Sequence, residues 1–365
     1  MQPDKEIFEP CCLATTIGSL PHVDPARGTT LMFESTPQIP AWCQFPKRAY
    51  RENMMVQFTE GIPGIIYEDK RIFMSTEGDK YIDEVTRFYT NYLEIIEENQ
   101  LDSLDQYGLS SDFASGFWEF MAHLEDQPTS YTALKGQVTG PFTHGINIID
   151  QKGKCSYYDP QLRDIIVKAT ALKALWQIVK LKPFHPRIII MLDEPSLLGY
   201  GTQEFLTVGK DDIINDINEV AGIIHHHGGL AGVHCEENTD WSILMQTDLD
   251  LLVFDAYDHL GAITLYPKEL NSFFQKGGLL GWGIIPTLDI NAAANENLDS
   301  LVNRFEKGLE GLTEKGFDHE LLLKRALITP SCGAGGVLTE SLAERVLRLL
   351  SKISSHLRQK YGFNK

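Results

Sequence analysis

The chain is poor in positive charge: among 365 residues, 32 Lys and Arg stand against 50 Asp and Glu, for a net charge of -18. Nucleic acids and anionic membrane surfaces are bound by concentrated Lys and Arg, so neither is an expected partner. Long hydrophobic runs are missing as well. No apolar stretch approaches the ~20 residues needed to span a bilayer. Cysteine is sparse, and Cys11, Cys12, Cys43, Cys155, Cys235 and Cys332 are scattered irregularly, unlike a secreted disulfide framework. The first residues are acidic and polar where a signal peptide would place a basic start and an apolar run. A reducing, cytoplasmic location with free thiols is therefore expected. No Gly-x-Gly-x-x-Gly fingerprint opens a helix and no Cys-x-x-Cys occurs, which argues against a dinucleotide-binding sheet and a local metal knuckle.

What is present is a folded chain, 43% hydrophobic and 22% charged. From residue 130 onward, short runs that are apolar at nearly every position alternate with amphipathic segments of helical length. The runs are 133–138, 188–192, 230–233, 251–254, 279–285 and 326–328, with an earlier one at 14–20. Helices are expected near 160–182, 211–227, 267–276, 296–315 and 338–360, and upstream at 82–97. Strands apolar on both faces suit a parallel sheet covered by helices. The expected fold is α/β, a single eight-stranded (β/α) TIM barrel over residues 1–365, with residues 30–130 including an irregular, partly helical elaboration. The eighth strand is expected near 103–111 or 65–73.

In such a barrel the residues at and just past the C-terminal strand ends face the active site. Those endings are Gly18-Ser19-Leu20-Pro21-His22, Thr139-Gly140-Pro141, Asp193-Glu194-Pro195, His234-Cys235-Glu236, Asp255-Ala256-Tyr257, Pro286-Thr287 and Ser331-Cys332-Gly333. His234, Cys235, Glu236, Asp255 and Cys332 are all of a kind that binds zinc. Side chains alternate along a strand, so Glu236 shares a face with His234 if the strand persists that far, and Cys235 becomes available if a loop begins at His234. Asp193 and Glu194 read equally as carboxylates holding a substrate cation or as a polar strand end. The His225-His226-His227 run before Gly228-Gly229 fits a helix C-terminus better than a metal site.

In motif order the chain resembles the C-terminal barrel of cobalamin-independent methionine synthase, within the superfamily that also holds uroporphyrinogen decarboxylase and the corrinoid-dependent methyltransferases. The resemblance rests on Thr15-Thr16-Ile17-Gly18-Ser19-Leu20-Pro21, Lys135-Gly136-Gln137-Val138-Thr139-Gly140-Pro141, Asp193-Glu194-Pro195-Ser196, Gly232-Val233-His234 and Ile328-Thr329-Pro330-Ser331-Cys332-Gly333. It implies one zinc ion on His234 and Cys332, with Glu236 or Cys235 as a further ligand, since Glu236 stands where the family places a cysteine. It further implies Asp193 and Glu194 near the amino group of an amino-acid thiol. Gly18, Ser19, His22 and Tyr257 are expected to contact substrate, and Asp255 to take a catalytic or ligand role. The family's Asp-x-His-Ser after the seventh strand is replaced here by Gly283-Ile284-Ile285-Pro286-Thr287-Leu288-Asp289.

The expected activity is zinc-dependent transfer of a methyl group from a folate or corrinoid donor to a thiol such as homocysteine, as in methionine biosynthesis. Zinc would hold the thiol as thiolate for attack on the methyl group. The expected partners are the thiol and a methyl-folate or methyl-corrinoid protein. Two alternatives stand beside it. A metal-independent decarboxylase would need arginines for several substrate carboxylates, with Arg27, Arg48 and Arg51 as candidates. A non-catalytic corrinoid- or thiol-binding barrel would bind without turnover.

Overall fold

The computed structural model describes residues 7–363 except 128, 203, 204, 206 and 237, so the first six residues of the polar start lie outside it. Ten strands are named in chain order: β1 (Leu13–Ala14), β2 (Ile65–Glu68), β3 (Arg71–Met74), β4 (Leu134–Thr139), β5 (Ile149–Asp150), β6 (Ile188–Asp193), β7 (Leu230–Cys235), β8 (Leu251–Phe254), β9 (Leu279–Ile285) and β10 (Ala326–Pro330). Seven of them form one curled parallel sheet in the order β1-β10-β9-β8-β7-β6-β4. The architecture is TIM-barrel-like but not fully closed.

Every residue of β4, β6, β8, β9 and β10 is buried, as both-face apolar runs require. Alternation along the strands divides the core in two. Leu13, Ile17, Ala133, Ile189, Met191, Leu251, Val253, Leu279 and Leu327 cluster on the inner face. Val138, Ile190, Leu192, Val233, Cys235, Leu252, Phe254, Trp282 and Ile328 join the larger cluster beneath the helices.

The helices fall close to the expected spans, at Pro160–Leu181, Lys210–His226, Pro267–Gln275, Leu298–Thr313, Glu340–Lys360 and Asp79–Ile96. Local chemistry sets their starts. Asp159 accepts from the amides of Gln161 and Leu162 ahead of Pro160, and Asn297 and Ser300 form a capping box. His225 and His226 end their helix, and Gly228 follows at φ 74°. Among the described residues, no helix is long and apolar enough to cross a membrane.

The N-terminal half departs from expectation. β1 covers two residues rather than 14–20. Neither proposed eighth strand joins the barrel sheet: residues 65–74 fold into the antiparallel β2–β3 hairpin of a separate sheet with β5, and Leu101–Tyr107 is a 3-10 helix. The gap between β1 and β4 is spanned instead by residues 40–44. There Lys135 N donates to Pro40 O (3.0 Å), Trp42 N to Lys135 O (3.3 Å), Gln44 N to Gly18 O (3.1 Å) and Leu20 N to Gln44 O (2.9 Å). Inward-facing polar groups reinforce this seam, with Lys135 Nζ donating to Ile17 O at 2.8 Å and Gln137 Nε2 to Trp42 O at 2.9 Å.

Candidate active site

At the C-terminal ends of the strands lies a cavity of about 240 Å³. Asp193, His234, Glu236 and Cys332 line it together with Ser19, Gln44, Glu52, Asn53 and an apolar set that includes Ile17, Met54, Leu288 and Val337. The parallel register makes the first pair neighbours: Asp193 on β6 sits beside His234 on β7. His234 Nδ1 is 3.3 Å from Asp193 Oδ1, and its Nε2 is 3.4 Å from Ser331 O. Each ring nitrogen therefore faces an acceptor. A proton taken up by the ring would be met on either side.

Cys332 follows β10 and is held from outside the strand. Its amide donates to Thr287 Oγ1 (3.1 Å), and that hydroxyl donates to Cys332 O (3.1 Å). The loop after it is tied to the first strand end, where Gly335 N donates to Ser19 Oγ (3.2 Å) and Ala334 N to Ser19 O (3.0 Å). Cys332 Sγ donates to Glu236 Oε2 at 2.8 Å. Burial, followed by the charge and hydrogen bond of Glu236, pushes this thiol well above the usual range. Cys332 as placed is thus a protonated thiol gripping a carboxylate rather than a free nucleophile.

Several expected site residues take other places. Cys235 points to the opposite face from His234 and is buried in the layer beneath the helices. It does not share the cavity with His234, Glu236 and Cys332 because a strand continues through residue 235. Glu194 is fully buried outside the cavity, with its carboxylate accepting from the amides of Phe142 (3.0 Å) and Thr143 (2.7 Å) at the start of the helix Pro141–Asn147. Burial raises this carboxyl to about 7 against the pull of those Thr143 and Phe142 contacts. Gly140 makes the arrangement possible, since a Cβ there would lie 2.3 Å from the Glu194 carboxyl.

Asp255 closes its own turn, accepting from the amides of Tyr257 (2.8 Å) and Asp258 (3.0 Å), and burial raises its carboxyl to about 6. Tyr257 hands its hydroxyl to Glu296 at 2.7 Å under the Arg304 guanidinium. His22 is fully buried with Glu344 Oε1 3.8 Å from its Nε2. Gly18, at φ 137°, leaves the room that the Gln137 side chain fills. None of these four, nor Glu194 or Cys235, lines the cavity.

Residues not singled out from the sequence complete the wall. Glu52 is fully buried, its Oε1 accepting from Arg48 Nη1 (2.6 Å) and Ser115 Oγ (2.8 Å). Asn53 caps the short helix Met54–Gln57, and Thr139 Oγ1 at the end of β4 donates to Met54 O at 2.7 Å, fixing that loop over the strand ends. The signal available in the sequence was polar Lys135 and Gln137 inside an apolar strand, which marks a partner segment across the barrel.

His234, Glu236 and Cys332 are the right kinds of donor for zinc. Their placement does not match a metal centre, however: among the described residues, no group of three His, Cys, Asp or Glu is arranged to hold a metal ion.

No family model and no curated protein matches the chain. Among solved structures, it is similar to a methyltransferase from Methanosarcina mazei, with 12% identity, a TM-score of 0.56, and coverage of 98% of this chain and 95% of the other. The likeness is one of fold. It runs over nearly the whole chain, N-terminal half included.

Proposed function

We propose that the chain is a methyltransferase that moves a methyl group from a folate or corrinoid donor to a thiol bound in the cavity at the strand ends. It acts as one barrel domain in which residues 40–44 stand in for an eighth strand. The observation that carries this reading is the Asp193–His234 pair and the Cys332–Glu236 contact facing one small cavity. The name of the similar structure supports the reaction class.

The chemistry assigned to the chain's own residues is modest. The substrate sulfur must lose its proton before it attacks, because the thiolate is the nucleophile. His234 takes that proton on Nε2, and the resulting imidazolium is held between Ser331 O and Asp193. The sulfur then forms its bond to the methyl carbon as the carbon–donor bond breaks, and the bonding pair leaves with the donor. Leu288, Val337, Met54 and Ile17 exclude water around the transferring carbon.

Zinc, which the sequence resemblance implies, would draw on His234, Glu236 and Cys332. Since these are not arranged for a metal ion, the proton is assigned to His234. Metal analysis decides the point separately: a zinc centre of the implied kind requires about one zinc per chain, lost in Cys332→Ser.

The decarboxylase reading finds no support in the cavity. Arg27 is paired with Glu344 on the surface, Arg48 with Glu52, and Arg51 with Asp112 beside the Phe113 ring. Among the described residues no Arg or Lys lines the cavity, which leaves nothing to hold several substrate carboxylates. The test is methyl transfer from methyl-cobalamin and methyl-tetrahydrofolate to a panel of thiols. Thioether formation that falls about 100-fold or more in His234→Ala supports the reading. Binding of thiols with no transfer from any donor would favour the non-catalytic alternative.

A further inference from the structure

The peptide unit between Ser331 and Cys332 reaches toward two residues at once. Its carbonyl, Ser331 O, lies 3.4 Å from His234 Nε2, and its amide, Cys332 N, donates to Thr287 Oγ1 at 3.1 Å. A trans peptide is planar and points its C=O and N–H in opposite directions, so fixing one end aims the other. The grip of Thr287 on the amide therefore aims Ser331 O at the histidine.

Backbone pairing does not reach this far along the strand. The register between β9 and β10 slips at Thr329 and Pro330, and Pro330 has no N–H to donate. Beyond the bond from Ser331 N to Ile285 O (2.8 Å), side chains take over. The Thr287 hydroxyl accepts from Cys332 N and donates to Cys332 O (3.1 Å), Thr287 N donates to Ser331 Oγ (3.3 Å), and the two hydroxyl oxygens are 3.3 Å apart. Thr287 and Ser331 are buried, so the loss of one partner leaves a donor or acceptor stranded away from water. Thr287 does not line the cavity itself, and any effect it has on the site passes through Ser331 and Cys332.

We infer that Thr287 is a positioning residue of this site, whose hydroxyl aims Ser331 O at His234 and holds the Cys332 thiol where it meets Glu236. The inference rests on the reading of the cavity as a methyl-transfer site in which His234 takes the proton. Without the hydroxyl, the Cys332 amide has lost its acceptor, and the peptide unit turns toward another, carrying the carbonyl and the thiol with it. The imidazolium formed at His234 then lacks one of its two acceptors. The cavity wall that binds the thiol substrate keeps its composition, so turnover suffers and binding does not.

The test compares Thr287→Val, which keeps the shape and removes the hydroxyl, with Thr287→Ser, which keeps the hydroxyl, both in the full chain. Alkylation of Cys332 by iodoacetamide at pH 8 should accelerate about 3- to 10-fold in Thr287→Val, the range for one hydrogen bond, and return to the slow rate in Thr287→Ser. The partly exposed Cys11 and Cys155 should react at unchanged rates. With methyl-cobalamin as donor and cysteamine as acceptor, kcat should fall by about 3- to 10-fold in Thr287→Val while KM moves less than about twofold. Ser331→Ala removes one partner of the same hydroxyl and should accelerate Cys332 alkylation about twofold. A folded Thr287→Val with an unchanged Cys332 rate, equal acceleration of Cys11 and Cys155, a Thr287→Ser that behaves like Thr287→Val, or a loss carried by KM alone would each overturn the inference. If Thr287→Val does not fold, an unchanged Cys332 rate in Ser331→Ala overturns it. The alkylation needs no methyl donor. A Cys332 that responds to Thr287 in a chain without methyl transfer would therefore refute the proposed function alone, and methyl transfer indifferent to Thr287 would refute the positioning role alone.

Discussion

Replacing Glu194 by Ala separates a structural carboxylate from a substrate-binding one. The substitution leaves the buried amides of Phe142 and Thr143 without their acceptor, at about 1–3 kcal/mol each. It also relieves the chain of a fully buried carboxyl, which offsets part of that loss. The net expectation is a destabilisation of about 2–4 kcal/mol near pH 5.5. Its pH dependence has a definite sign. Burial raises this carboxyl from 4.5 to about 7, so the folded chain holds the proton more tightly than the unfolded chain does. The stability it contributes is complete below pH 4.5 and is lost as pH rises through about 7. The penalty of Glu194→Ala should accordingly be largest near pH 5 and smaller at pH 8. Urea unfolding at both values measures it, with cysteamine affinity measured alongside and expected to change by less than about twofold, as for a residue outside the contact set. A stability change below about 0.5 kcal/mol at both pH values, accompanied by a tenfold loss of thiol affinity, would refute the assignment of Glu194 to the helix start and return it to the substrate.

Gly140→Ala drives a methyl group to 2.3 Å from the same Glu194 carboxyl and should cost about 1–3 kcal/mol in urea unfolding. Alkylation of Cys332 by iodoacetamide at pH 8, followed by peptide mass spectrometry, should be slow and should accelerate several-fold in Glu236→Gln, because that carboxylate helps hold the thiol pKa up. An unchanged rate would show that Glu236 does not govern the thiol. Tyr257→Phe removes the hydroxyl bond to Glu296 and should lower stability by about 1 kcal/mol without altering methyl transfer, since Tyr257 does not line the cavity. A tenfold fall in kcat/KM would place Tyr257 back at the substrate.

The C-terminal two-thirds of the fold was legible because its strands are buried on both faces and its helices are amphipathic between them. The runs at 188–192, 251–254 and 279–285 fall on β6, β8 and β9 almost residue for residue. Residues 30–75 were not legible, because the piece that spans the open side, 40–44, makes isolated bridges rather than a strand, starts at Pro40 and is followed two residues later by Pro46. A periodicity of two needs more residues than that to show itself. The seam's support came from Lys135 and Gln137, 91 or more residues downstream, a distance that local pattern does not reach.

The candidate site divides along the same line. Strand alternation places Asp193 and His234 inward and Cys235 outward, and it leaves Glu236 on the cavity side. Glu194, Asp255 and Tyr257 also follow strands, but each is consumed by a local amide or carboxylate partner that only the three-dimensional arrangement reveals. Glu52 stood unmarked in an irregular segment. It reaches the cavity because Thr139 at the end of β4 anchors the loop that carries it.

The most direct test of the account is the formation of S-methyl thioether by the purified full chain, followed with isotopically labelled methyl-cobalamin and methyl-tetrahydrofolate as donors and cysteamine as acceptor. The account predicts labelled thioether from at least one donor, reduced about 100-fold or more in His234→Ala while thiol binding persists. Labelled product formed equally well by His234→Ala, or no product from either donor under conditions where cysteamine is bound, would contradict it.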